Sequence, residues 1–319
     1  MRRPAFRSNY LTSIGLLATL LSAVGCMQEE HSNQSAATLP DLSGLAWIEG
    51  DRFIGCHDAK VAGENSKPRY TSLHLPTNSR GVTYRDAGFT FQGISPNDLE
   101  SIAKVPGENT LLLCESGNSK DNPAIQNIFK ARITAQGIEI VDAVKWPVLV
   151  HNVEATAVAR IGEKYVFLFA ERASNQQSTQ LSWLEFNPAD MSFSGEPQHV
   201  TFASPDPDRY NRIIVGLDVD SDGTIYSLSA FDAEEAGFPN PDNGPFAGGI
   251  YAIGMVSATD GKPMIQLFEK PQSLATVDGQ KPESITVRET NDAKEIFYGT
   301  DDENYGGVIR KLHHQSPKE

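Results

Sequence analysis

The sequence predicts an all-β protein folded as a five-bladed β-propeller, with six blades as the alternative count. Three observations carry this. A two-strand unit returns five times, at Asp41 to Asp58, Asp98 to Glu115, Asn152 to Glu171, Ile213 to Asp232 and Pro282 to Asp301. Unit starts at Ser43, Glu100, Glu154, Val215 and Glu283 recur every 54 to 68 residues, a period that marks radial or solenoid architectures. Strand-like alternation is broken by frequent Gly and Pro, and no stretch carries the period of a long amphipathic helix.

Each unit opens on a short polar-small-apolar run: Ser43-Gly44-Leu45-Ala46, Glu100-Ser101-Ile102-Ala103, Glu154-Ala155-Thr156-Ala157, Val215-Gly216-Leu217-Asp218 and Glu283-Ser284-Ile285-Thr286. A turn rich in Gly, Asp and Asn follows, then an apolar run that ends on an acid, as in Tyr165-Val166-Phe167-Leu168-Phe169 before Glu171. Loops at 58–69, 115–124, 171–179, 232–248 and 301–306 lead to third strands at 70–75, 125–133, 181–186, 249–256 and 308–313. Fourth strands are expected at 82–91, 137–146, 193–202 and 264–269. The last unit has no fourth strand of its own, so residues near 33–40 are expected to cover that edge. Loop 232–248 is the longest and should overhang one mouth of the channel, where specificity tends to reside. Asp218 to Gly223 opens like a calcium-binding loop, but Ser229 stands where the bidentate acid is needed. Ser221-Asp222-Gly223 therefore reads as a hairpin turn.

A hairpin sets the start of its first strand beside the end of its second. Glu100 should then meet Glu115, Glu154 should meet Glu171, and Glu283 should meet Asp301, all at one channel mouth. Carboxylates crowded in this way raise one another's pKa unless a cation joins them. Ser43, Glu100, Glu154 and Glu283 are the expected metal ligands. Hard oxygen donors without a Cys or His cluster select calcium over zinc.

The N-terminus reads as an export signal over residues 1–25. Arg2, Arg3 and Arg7 precede an apolar run from Leu11 to Leu21 that is too short to span a bilayer. Ala23-Val24-Gly25-Cys26 fits a lipobox, which makes Cys26 the expected lipidation site and 26–40 a polar tether to the propeller at 41–319. The expected location is the bacterial cell envelope, at the outer membrane or periplasmic face, with the membrane reached only through the lipid. Removing the signal leaves 24 basic residues against 41 acids, a net charge of −17. That balance, without a basic run, argues against nucleic acid as a partner. The chain is expected to be a monomer. Cys56 and Cys114 fall on opposite faces of aligned strands and are expected to be free thiols.

Asp41-Leu42-Ser43-Gly44-Leu45, Glu154-Ala155 with Phe167-Leu168 and Arg172-Ala173-Ser174, and Ile213-Ile214-Val215 resemble the blade starts of the calcium-activated nucleotidases, or apyrases. Asp41 to Trp47 and Asp301-Asp302-Glu303 with Gly306-Gly307 are also similar to bacterial phytase-like or esterase-like propellers. The first resemblance implies five blades around a central calcium and hydrolysis of a phosphoric ester or anhydride. In that chemistry Asp58 or Glu115 would orient the attacking water, and Arg172, with Lys120, would balance phosphate charge. Val215-Gly216 stands where the apyrase pattern has a serine, which weakens the nucleotidase reading more than the calcium one. No Gly-x-Ser-x-Gly elbow, His-Glu-x-x-His pair or Walker loop is present. Two classes of function remain: a calcium-dependent phosphoesterase acting on a small anionic substrate, and a non-catalytic propeller that binds a ligand or envelope partner at its mouth.

Overall fold

The computed structural model describes residues 39–60, 67–76, 81–117, 126–291 and 293–312. Five antiparallel sheets account for nearly all of its regular structure. The first holds β1 (Gly44–Glu49), β2 (Arg52–Cys56), β3 (Tyr70–His74) and β4 (Thr83–Ala87). The second holds β5 (Leu99–Lys104), β6 (Thr110–Glu115), β7 (Asn127–Ile133) and β8 (Ile138–Lys145). The third holds β9 (Val153–Ile161), β10 (Lys164–Glu171), β11 (Ser178–Asn187) and β12 (Ser192–Ala203). The fourth holds β13 (Arg212–Val219), β14 (Thr224–Phe231), β15 (Ala247–Thr259) and β16 (Lys262–Asp278). The fifth has three strands, β17 (Pro282–Glu289), β18 (Lys294–Thr300) and β19 (Ile309–Lys311).

The strands of each sheet pair in chain order, and the first strands form a closed ring. β1 packs against β5 and β17, β9 against β5 and β13, and β13 against β17. This is the five-bladed propeller that the repeat predicts. Inner strands are sandwiched between neighbouring blades, so both faces are buried and they read as nearly continuous small and apolar runs. Outer strands such as β12 alternate or lie open, which makes them harder to see in the sequence. The fourth strand of blade four is much longer than expected, because residues 268–271 loop out of the ladder between Leu267 and Gln272 and pairing then resumes to Asp278.

Each blade–blade seam holds its own apolar cluster. The one between blades two and three centres on Phe167, with Trp146 and Phe169 at ring separations of 5.6 and 6.1 Å. Cys56 and Cys114 are buried free thiols. The turn after β13 is a hairpin as expected: Asp220 accepts the amides of Asp222 and Thr224, and Gly223 takes φ +87° against the Val256 carbonyl. Among the described residues no helix is long and apolar enough to cross a membrane.

Closure joins the two ends of the chain. Leu39 bridges to Gly307, whose amide donates to the Leu39 carbonyl at 2.7 Å. Leu42 donates to the Thr300 carbonyl at 3.0 Å and accepts from the Ser284 hydroxyl at 2.9 Å. Of the expected N-terminal edge segment only Leu39 and Pro40 are described, and they contribute the single bridge to Gly307 beside β19 rather than a fourth strand. The remainder of that segment, the Cys26 lipobox, the signal 1–25, most of the tether and Lys120 lie outside the described residues.

Leu42 is fully buried with Phe53, Leu73 and Phe297. Leu42→Ala should cost about 2–5 kcal/mol through lost transfer energy and the cavity left behind. Urea denaturation measures it. A loss below about 1 kcal/mol would show that the seam does not depend on this side chain.

Candidate functional site

The inner strands enter the channel through β-bulges, and the bulges deliver the glutamates. In blade two Leu99 pairs with Glu115 and Ser101 with Cys114, which leaves Glu100 unopposed. In blade three the pairs are Val153 with Glu171 and Ala155 with Ala170, so Glu154 is the extra residue. In blade five they are Pro282 with Thr300 and Ser284 with Gly299, so Glu283 is the extra residue. A bulge frees one residue from the ladder and re-aims its side chain. Blade four is irregular between Arg212 and Gly216, and the charged residue at its channel entry is Arg212 rather than Val215 or Gly216.

On the side of blades three to five the acids meet buried cations. Arg212 binds Glu283 at 2.9 Å, Asp232 through its other terminal nitrogen, and Glu235 through Nε at 3.6 Å. Arg172 binds Glu154 at 3.1 Å and Glu235 at 3.4 Å. Lys281, 3 % exposed, binds Asp301 at 3.1 Å, Glu283 at 3.4 Å and also Glu303. Burial raises the carboxyl of Glu154, and Arg172 and Arg212 oppose it. Burial also raises Asp301, but the Lys281 charge together with hydrogen bonds from Glu283, Lys281 and the Glu303 amide outweighs it and holds that carboxyl below its ordinary range. Asp41 is pushed up to about 8, by burial and then by Asp301 and Glu303.

On the side of blades one and two the acids gather around a lysine. Oxygens of Asp58, Asp98 and Glu100 all lie within 4.8 Å of one another. Asp98 is 9 % exposed. Ser116 donates to its Oδ2, while its buried Oδ1 has the Lys60 ammonium at 3.4 Å as its nearest cation. Lys60 also lies 3.8 Å from Asp58. Burial drives the Glu100 carboxyl well above its ordinary range, and Glu154, Asp98 and Asp58 add to the effect. Below the mouth a narrow axial cavity of 10 Å³, lined by Ser43, Glu154, Thr156 and Glu283 among others, has room for about one water or ion.

The expected ligand ring therefore divides. Glu154 and Glu283 sit in ion pairs, Ser43 lines the axial cavity, and Glu100 joins Asp58 and Asp98. The expected hairpin pairing of acids holds only for Glu283, which hydrogen-bonds Asp301. Glu115 is buried and accepts from the Asn97 amide at 3.0 Å, the Asn127 amide at 2.8 Å and the Asn127 side chain at 2.7 Å. Glu171 accepts the His151 amide at 2.8 Å. Both acids are thus committed to loops rather than to their channel partners, because the bulge shifts the pairing by one residue. Sequence reasoning missed Arg212, Lys281, Asp98 and Glu235. Lys281 and Asp98 each stand two residues before a channel glutamate, a position that could have drawn attention to them.

The opposite end of the channel opens on a cavity of 320 Å³ lined by Trp47, Lys104, Val158, Asp218 and Thr286 among others. Its charges are answered locally. Asp218 accepts the Val219 and Val287 amides, and Lys104 donates to the Ile48 carbonyl.

No family model and no curated protein matches the chain. Solved structures with a similar fold include an endo-1,4-β-xylanase from Bacteroides thetaiotaomicron VPI-5482, at 12 % identity over 86 % of this chain and 90 % of that one, TM-score 0.53. An α-L-arabinofuranosidase from Clostridium thermocellum ATCC 27405 matches at 12 % identity over 87 % and 90 %, TM-score 0.46. A GH43 β-1,3-galactosidase matches at 9 % over 87 % and 91 %, TM-score 0.47. At these identities the likeness is one of fold.

Two measurements test the electrostatics. Arg212→Met should cost about 3–5 kcal/mol, since it strands buried carboxylates without a counter-charge. A thermal melt within 2 °C of the parent protein would contradict that account. Glu115 has its pKa pushed up to about 7 from an ordinary 4.5, chiefly by burial. The unfolded chain therefore releases this proton first. The stabilisation is complete below pH 4.5, is lost as pH rises to about 7, and is absent above it. Its size is of order 1–3 kcal/mol. Glu115→Gln should flatten the stability–pH curve across that window, and an unchanged slope would refute the assignment.

Proposed function

We propose that the protein is a calcium-dependent hydrolase of phosphoric esters or anhydrides, acting at the channel mouth. The observation that carries this reading is the convergence of Asp58, Asp98 and Glu100, whose oxygens lie within 4.8 Å of one another at the mouth. The donor set fits a hard cation: three carboxylates leave room in a coordination shell of six to eight oxygens for waters and substrate. Asp98 Oδ1 is one of the buried side-chain atoms, among the described residues, without a hydrogen bond of good geometry.

Calcium bound there would polarise a phosphoryl oxygen and acidify a water. The chain's own residues divide the remaining work. Asp58 is the exposed member of the cluster, with a side chain 47 % accessible, and is the acid placed to orient or deprotonate that water. Arg172, held by Glu154 and Glu235, presents a fixed guanidinium to an anionic group. Glu115, with three donors on its carboxylate, ties the end of β6 to Asn97 and to the start of β7. The Ala23-Val24-Gly25-Cys26 segment supports action at the bacterial cell envelope from a lipid tether.

A second reading, glycoside hydrolysis, has one observation in its favour. The neighbouring carboxyls of Asp41 and Asp301 are driven apart in protonation, one up to about 8 and the other below its ordinary range. That separation suits an acid and a base. The xylanase of similar fold is compatible with it.

Calcium should raise the melting temperature, by mass action worth about 2.7 kcal/mol at a hundredfold excess over Kd. Glu100→Gln should abolish the rise, while Glu185→Gln on an outer strand should not. Aryl phosphates and nucleotides, screened with calcium and with chelator, should be hydrolysed only with calcium. Turnover of aryl glycosides that survives chelation would replace the phosphoester reading with the second one. Calcium binding without turnover of either class would leave a non-catalytic ligand-binding propeller.

A further inference from the structure

Lys60 lies at the edge of the carboxylate cluster in a position that bears on how a metal would enter it. Its ammonium is 3.4 Å from Asp98 Oδ1 and 3.8 Å from Asp58 Oδ2. Asp98 is more than nine-tenths buried, and the oxygen facing Lys60 is one of the buried carboxylate atoms that lack a hydrogen bond of good geometry. Asp58 and Asp98 therefore both lie against one long-stemmed cation.

Two of the groups are fixed and one is mobile. Asp98 is anchored through Ser116. Glu100 is set by the bulge in β5. The Lys60 side chain is 59 % accessible on a four-carbon stem, so it can leave without disturbing the core. A divalent ion ligated by the same oxygens would lie within a few ångströms of the ammonium, where like charges repel strongly.

We propose that Lys60 is an internal competitor for the metal site: its ammonium occupies the cluster until a divalent cation displaces it, and so sets the affinity for that cation. The proposal rests on the calcium reading of Asp58, Asp98 and Glu100. It assigns Lys60 a specificity role, because a singly charged, strongly hydrated head is displaced by a doubly charged ion and not by sodium or potassium. The lysine also keeps the site from standing as three unanswered carboxylates when calcium is scarce.

Calorimetric titration of the full chain with calcium chloride tests the idea, on the wild type, Lys60→Met, Lys60→Arg and Asp58→Asn. Lys60→Met should lower the calcium Kd about two- to fivefold, the scale of one partly exposed ion pair. Lys60→Arg should restore the wild-type value, and Asp58→Asn should weaken binding. Binding by Lys60→Met with none detectable in the wild type would also support the proposal. An unchanged or higher Kd in Lys60→Met, with Asp58→Asn still weakening binding, would overturn the competitor role and leave the calcium site standing. No binding by the wild type or by Lys60→Met would overturn both.

Discussion

Closing five sheets around one axis forces the first residues of five strands into one small space. Any charge placed there loses water and gains close neighbours, so it must be neutralised, paired or bound to an ion. That constraint organises the molecule. It explains why Arg212 replaces a glutamate at the entry of blade four, why Lys281 is buried despite its charge, and why Arg172 reaches between Glu154 and Glu235. At the far end of the channel charges are tied to backbone groups of the neighbouring blade instead, Lys104 to Ile48 and Asp218 to Val287.

The mouth answers the constraint in two ways. Blades three to five use fixed guanidinium and ammonium groups, which bind several acids each and hold the geometry rigid. Blades one and two use a lysine that is largely exposed. The two halves of one opening thus neutralise their acids with groups of different exposure.

Much of the fold was legible because the repeat is written in inner strands. Sequences such as Glu154-Ala155-Thr156-Ala157 and Tyr165 to Phe169 are buried on both faces, so their composition is constrained over every residue. The outer strands were placed less well, since β16 carries exposed residues and bulges that no alternation announces. The acids Glu100, Glu154 and Glu283 were visible as recurrent strand starts. Their destinations were not, because a single-residue bulge decides which side chain leaves the ladder, and composition does not encode it. Arg212 and Asp98 were missed for a related reason: both stand just before the apolar runs on which the reading was anchored, and each has one partner in a neighbouring blade, Glu283 for Arg212 and Lys60 for Asp98.

The seam between the chain's two ends also sets an order in time. Leu42 depends on Ser284, 242 residues later, and Trp47 donates its amide to Thr286, 239 residues later. A chain made from its N-terminus presents these apolar residues first and their partners last. Four blades can stack before the fifth exists, but the ring cannot lock until the final hairpin has emerged. During that interval the face of blade one that carries Leu42 and Phe53 still lacks Phe297 as its partner.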